Sequence, residues 1–157
     1  MPCRRTTWRL VNPFVNPGNA IMAQKPYPIR SYQNLRVYQC AIVLATDLFW
    51  ITRRFPNYEL DALTAQLRRT ARAIPYHVGL AWKKRYYRPA FLLHLDEAQS
   101  ACARLGLWLH MAHESCYLTD DAHEALQARK RQLQRMLTRL NAQRISMLAG
   151  GAMQALA

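Results

Sequence analysis

The sequence predicts an all-α protein, an antiparallel four-helix bundle behind a flexible proline-rich extension. Three observations carry this. From Ser31 onward apolar residues recur at three- and four-residue steps, the period of one helix face. Residues 31–149 hold only three of the eight prolines and two of the five glycines. No run of alternating apolar and polar residues marks a strand, and no internal repeat is present.

The extension comes first. Pro2, Pro13, Pro17, Pro26 and Pro28 lie before Ser31 together with Gly18, so residues 1–30 read as a flexible basic segment, 31–148 as the bundle and 149–157 as a disordered tail. Met22-Ala-Gln-Lys resembles an ordinary translation start, which makes the 21 residues before it a mis-assigned start or a loose tail. The first helix is predicted over 34–54, with Asn34 as N-cap and Phe55-Pro56 as its stop. Its inward face reads as Tyr38, Ala41, Ile42, Ala45, Leu48, Phe49, Thr52 and Phe55. Val37, Val43, Leu44, Trp50 and Ile51 lie outside that face, and a helix apolar on most sides needs a second partner, so oligomerisation is expected.

The second helix spans 58–82, placing Leu60, Leu63, Leu67, Ala71, Ile74 and Val78 on one side, with Pro75 predicting a kink. Pro89 suits the first turn of a third helix that runs to Glu114. Phe91, Leu95, Ala98, Cys102, Leu105, Leu109 and Ala112 form its near-heptad seam. Thr119 followed by Asp120 and Asp121 is an N-cap with first-turn acids. It opens a fourth helix that buries Leu126, Leu133, Met136, Leu137 and Leu140 and fades near Leu148, before Gly150-Gly151. Short connections between helices of this length give antiparallel neighbours.

The 157 residues suit one domain, and 51% apolar content excludes a disordered chain. Twenty-two basic residues against nine acids give a formal charge of +13, which makes a polyanion the natural partner. Without Arg4, Arg5, Arg9 and Lys25, 18 basic residues remain against the same nine acids. The most apolar stretch, Cys40 to Ile51, is too short to span a membrane and carries Asp47. No apolar run suits a secretory signal. Cysteines 3, 40, 102 and 116 form no CxxC pair, so they read as reduced thiols in a cytoplasmic protein.

Three basic clusters are candidate nucleic-acid contacts. Trp82 leads into Lys83, Lys84, Arg85, Tyr86, Tyr87 and Arg88, where cations can grip phosphates while a tyrosine stacks on an unpaired base. The alternative is a solvated turn, with Trp82 and one tyrosine capping the bundle end. Arg68, Arg69 and Arg72 form a second cluster. Arg131, Arg135 and Arg139 form a stripe at steps of four, with no acid after Glu124 anywhere in the chain. Stacked like charges cost helix stability, and a polyanion relieves that cost. The alternative for the stripe is a solvated face.

His110, His113 and Cys116 have ligand-type side chains at steps of three, with His123 as a fourth. Such steps drift about 120° around a helix between first and last, so no metal site is expected. His94 reads as a hydrogen-bonded interface residue. Few acids, no nucleophile motif and no glycine-rich phosphate loop exclude the common enzyme patterns, and neither catalytic residues nor a cofactor is expected.

Several motifs carry a resemblance over about 32–141. They are Tyr32-x-Asn34-Leu35-x-Val37-Tyr38, Phe55-Pro56-x-x-Glu59, Leu63-x-x-Gln66-Leu67-Arg68-Arg69, Ile74-Pro75, Tyr117-Leu118 and Met136-Leu137-x-x-Leu140. In these the chain resembles the bacterial four-helix-bundle family of the ribosomal RNA intervening-sequence protein and Avd, the accessory protein of diversity-generating retroelements. It departs where the family often has Ser-Asn-Ile-Ala-Glu-Gly after Ile-Pro, because Tyr76-His77-Val78-Gly79-Leu80-Ala81 lacks the polar Asn and Glu. The resemblance implies a ring-like homopentamer and a non-catalytic, nucleic-acid-binding role. The expected function is Avd-like: binding RNA, DNA or an RNA–DNA hybrid for a reverse transcriptase. The alternatives are an intervening-sequence-type protein and a purely structural interaction module.

Overall fold

The computed structural model describes residues 31–154, with side chains described to Ala142. The expectations for 1–30, for Met22 and for the tail side chains lie outside the described residues. A 3-10 turn, Tyr32–Asn34, leads into α1, Arg36–Thr52. A second turn, Asn57–Glu59, leads into α2, Leu63–Lys83, followed by α3, Arg88–Glu114, and α4, Asp120–Gln154. The described residues contain four helices and no strand, as a four-helix bundle requires.

Each helix packs against its sequence neighbours, and α1 packs against α4 to close the ring of four. Individual contacts fix the antiparallel sense. Tyr32, ahead of α1, lies against Gly79 late in α2. Gln127 of α4 donates to the Gly106 carbonyl of α3 at 3.1 Å, and the Cys102 thiol donates to the Lys130 carbonyl at 3.6 Å. Arg129 of α4 forms an ion pair with Asp47 of α1.

α3 buries the whole seam read from its sequence, and Ala101 with it. Three of its seven seam positions, Ala98, Cys102 and Ala112, and Ala101 beside them carry small side chains, which let α2 approach closely; α2 and α3 form the most extensive helix pair. Leu126, Leu133 and Leu137 of α4 are buried, while Met136 and Leu140 pack at the edge of the core. Thr119 caps α4 as expected, accepting from the Ala122 backbone at 3.3 Å. The helix runs to Gln154, past the expected end at Leu148, and neither Gly150 nor Gly151 adopts the positive φ that would stop it.

Two expectations for α1 need correction. Asn34 is not its N-cap but part of the 3-10 turn, which is capped by Ser31, whose hydroxyl accepts from Gln33. The helix therefore begins at Arg36. Its inward face is also turned from the one expected: Val37 and Leu44 are core residues, and Ile42 is 41% exposed. Apolar side chains surround this helix, so periodicity leaves its rotation open; the contact of Asp47 with α4 sets it.

α2 starts at Leu63, five residues later than expected, and Leu60 is exposed. Pro56 and the 3-10 turn occupy the intervening chain, and the Glu59 carboxylate then supplies the missing cap. One oxygen accepts from the Leu63 backbone at 3.1 Å and the other from the Tyr117 hydroxyl at 3.1 Å. Tyr117 also packs on Phe55, with ring centroids 5.2 Å apart. The Phe-Pro-x-x-Glu motif thus joins the α1–α2 and α3–α4 connections. Its hydrogen bonds with Tyr58 and Glu59, together with burial, push the Tyr117 phenol well above its ordinary pKa. α2 continues without a break through the buried Pro75.

The end of α3 is a Schellman motif. Tyr117 donates back to the Ala112 carbonyl at 2.9 Å and Cys116 to the His113 carbonyl at 2.8 Å, with Cys116 at φ 58°. A side chain in that region costs on the order of 1 kcal/mol or more, which glycine avoids. Cys116→Gly is expected to raise stability by about 0.5 to 1 kcal/mol after the entropy that glycine adds to the unfolded chain. Urea unfolding checks this; no gain in midpoint would show that the turn carries no such cost.

Candidate nucleic-acid interface

The α2–α3 connection is organised by Arg85. Its guanidinium lies 4.6 Å from the Trp82 ring centroid and 4.3 Å from that of Tyr86. It donates to the Trp82 carbonyl at 3.0 Å and to the Tyr86 hydroxyl at 3.0 Å. Trp82 packs on the core, so this stack anchors the loop. Arg85 is thus engaged within the turn, while the residues around it face outward. Tyr86 is 83% exposed and Tyr87 64%. Lys83, Lys84 and Arg88 are also exposed, with no carboxylate at ion-pair distance among the described residues.

The Arg68, Arg69 and Arg72 cluster is divided. Arg68 is half-buried: its Nε donates to the Thr52 hydroxyl at 2.8 Å and its guanidinium lies 5.0 Å from the Phe49 ring centroid, so it joins α2 to α1. Arg69 and Arg72 are exposed, and with Leu60, Ala65 and Arg68 they line a shallow groove of about 430 Å³. The structure brings these arginines together, but away from the loop.

On α4, Arg131, Arg135 and Arg139 are all exposed on the side opposite Leu126, Leu133 and Leu137. The expected absence of acidic relief is incomplete. Arg131 pairs with Glu124 at 2.6 Å, two turns earlier. This leaves Arg135 and Arg139 as the stripe's cations without an ion pair among the described residues. The antiparallel register set by Cys102 opposite Lys130 carries the stripe toward the end of the bundle that holds the Lys83–Arg88 loop.

The histidines fall into two groups. His113 donates from Nε2 to Asp120 at 2.7 Å, because an ionised carboxylate can only accept, and its ring stacks on His123 at 4.4 Å. His110 and His113 flank Glu114, whereas Cys116 is carried off by the turn and lies exposed. Burial, then His113 and His110, lower the pKa of His123. The second group is His77 and His94, with ring centroids 5.8 Å apart. Each has a buried Nδ1 without a hydrogen-bond partner, which corrects the expectation that His94 is hydrogen-bonded. Burial chiefly lowers the pKa of His77.

Sequence reasoning missed Asp47 and Arg129 as a pair, and Glu114 and Asp120 as neighbours of the histidines. The described cysteines are free thiols, and burial raises Cys102 to a pKa of about 11. No described helix is long and apolar enough to cross a membrane.

Comparison with known proteins places this geometry. A crystal structure of a protein with unknown function from the S23 ribosomal protein family of Bacteroides thetaiotaomicron superposes with a TM-score of 0.61 at 16% identity. The match covers 66% of this chain and 93% of that one, a likeness of fold. No curated protein matches the chain. The sequence from residue 33 to residue 139, which takes in α1, α2, α3 and more than half of α4, matches the 23S rRNA-intervening sequence protein family, and the chain belongs to that family.

Proposed function

We propose that this protein is a non-catalytic RNA-binding bundle that grips structured RNA with the Lys83–Arg88 loop and the outer face of α4. The observation that carries the reading is the loop: three exposed cations and two exposed tyrosines are held outward by a fourth cation stacked between Trp82 and Tyr86. Phosphates suit the cations, and an unpaired base suits an exposed phenol ring. The family's description, which names ribosomal RNA, supports RNA as the polyanion. The sparse acids and the lack of a nucleophile motif support binding without chemistry.

The narrower form of this reading, with Avd-like service to a reverse transcriptase on RNA, DNA or a hybrid, rests on the resemblance in sequence. A reverse-transcriptase gene beside this one would favour it, and placement inside a ribosomal RNA operon would favour an intervening-sequence protein. A homo-oligomer, in its narrowest form a pentamer, is supported by the outward-facing Ile42, Val43 and Trp50 of α1, the last two being 46% and 48% exposed. Light scattering at high salt is expected to give a mass several times 18.3 kDa. A monomer at micromolar concentration would remove the oligomer from the proposal.

The test of the loop is the Tyr86→Ala/Tyr87→Ala variant. Loss of stacking is expected to cost about 1 to 3 kcal/mol per stacked base on single-stranded RNA, with the salt dependence of affinity almost unchanged. Unchanged affinity with intact helicity by circular dichroism would return the loop to a solvated cap.

A further inference from the structure

We infer that His110, His113 and Glu114, at the bundle end opposite the basic loop, form a binding site for a divalent transition metal, zinc being the ion that fits best. The inference is independent of the RNA reading. One donor atom from each of the three residues lies within 4.8 Å of the others. Nδ1 of His110 and Nδ1 of His113 approach the same Glu114 oxygen, at 3.8 Å and 3.6 Å. Donors held at about 2.0 to 2.1 Å around a tetrahedral zinc sit about 3.3 Å apart. Small side-chain rotations therefore close the set, and His110 and Glu114, both about two-thirds exposed, have the freedom to make them.

The second observation is the far side of His113. Its Nε2 lies 2.7 Å from Asp120, so in the neutral ring the Nε2–H goes to that carboxylate and Nδ1, 3.6 Å from Glu114, keeps its lone pair. A carboxylate that holds one ring nitrogen while the other faces a metal is the usual way a ligating histidine is oriented. The stacked ring of His123, 16° from parallel, fixes the plane of His113 further. Nδ1 of the neutral His113 and the Glu114 carboxylate are then two acceptors 3.6 Å apart, a contact completed by a proton on Nδ1 or by a metal ion that replaces it. Two imidazoles and one carboxylate suit zinc, and three ligands leave a fourth position for water or a donor from another molecule.

The donors differ from those the sequence spacing offered. Cys116 is replaced by Glu114, because the chain turns back at Cys116 while Glu114 remains on the helix one turn after His110.

The experiment is a titration of the untagged full chain with zinc chloride in competition with a chromogenic chelator. One zinc per chain is expected. His113→Ala, and separately His110→Ala with Glu114→Gln, are expected to abolish binding or weaken it at least about 100-fold, and Asp120→Ala to weaken it about 10- to 100-fold. Cys116→Ser is expected to bind as the wild type does. All of these side chains are exposed or half-buried, and circular dichroism verifies the fold of each variant. The inference is overturned if no zinc binds at about 100 μM, far above what a three-ligand site requires. It is equally overturned if binding survives His113→Ala, or if it depends on Cys116.

Discussion

The variant Lys83→Ala/Lys84→Ala/Arg88→Ala/Arg135→Ala/Arg139→Ala is expected to bind structured RNA about three orders of magnitude more weakly near physiological salt. Each phosphate contact releases about 0.7 to 0.9 of a counterion, so five lost contacts lower the slope of log affinity against log salt by about 3.5 to 4.5. At about 0.15 M salt each contact then contributes roughly 0.6 to 0.7 of a log unit, and five give the stated loss. Near 1 M salt the two proteins converge. Arg85 and Arg131 stay in place because one stacks within the turn and the other pairs with Glu124. A filter-binding titration over a range of salt reads both quantities. A variant slope equal to that of the wild type would mean that these cations are only solvated, and the RNA reading would fall with them.

Arg129→Ala is expected to lower stability by about 2 to 3 kcal/mol, because it takes the guanidinium from an aspartate whose side chain is only 10% exposed. Arg129 itself is 38% exposed, which brings the loss below the roughly 3 to 5 kcal/mol of a fully buried pair. For a domain of this size the melting temperature falls by about 10 °C. Replacing both partners with apolar residues, Asp47→Leu with Arg129→Met, is expected to recover most of the loss, since neither charge then needs solvation. Thermal unfolding of the single and double variants separates these outcomes. If Arg129→Ala melts with the wild type, the pair contributes orientation and no stability.

How much of this was legible depended on the element. On α3 the apolar seam keeps a near-heptad spacing along the whole helix, and each seam residue from Phe91 to Ala112 is buried as read, although Leu93, Leu107 and Met111 stand exposed on its outer surface. On α1 the same period fitted several rotations, so Val37 and Leu44 were assigned outward and Ile42 inward. Long-range contacts distinguish those rotations: the ion pair of Asp47 with Arg129 on α4, 82 positions away in sequence, and the hydrogen bond from Arg68 on α2 to Thr52. The Lys83–Arg88 loop was legible because its residues are consecutive, yet the stacking that sets Arg85 apart from its neighbours depends on side-chain directions. The neighbours of the histidines were not legible for a local reason: steps of three were counted through Cys116, and the helix ends at Glu114.

The order of packing has a kinetic consequence. Three of the four helix interfaces join elements adjacent in sequence, so each forms by closing a short loop, and such topologies fold quickly. The α1–α4 seam is the exception: it closes a loop of most of the bundle, and it is the least extensive of the four helix-on-helix interfaces. It is therefore expected to form last, after the rate-limiting barrier. Removing Arg129 should leave the refolding limb of a chevron plot nearly where it was and raise the unfolding limb, so the charge pair at this seam acts mainly as a brake on opening.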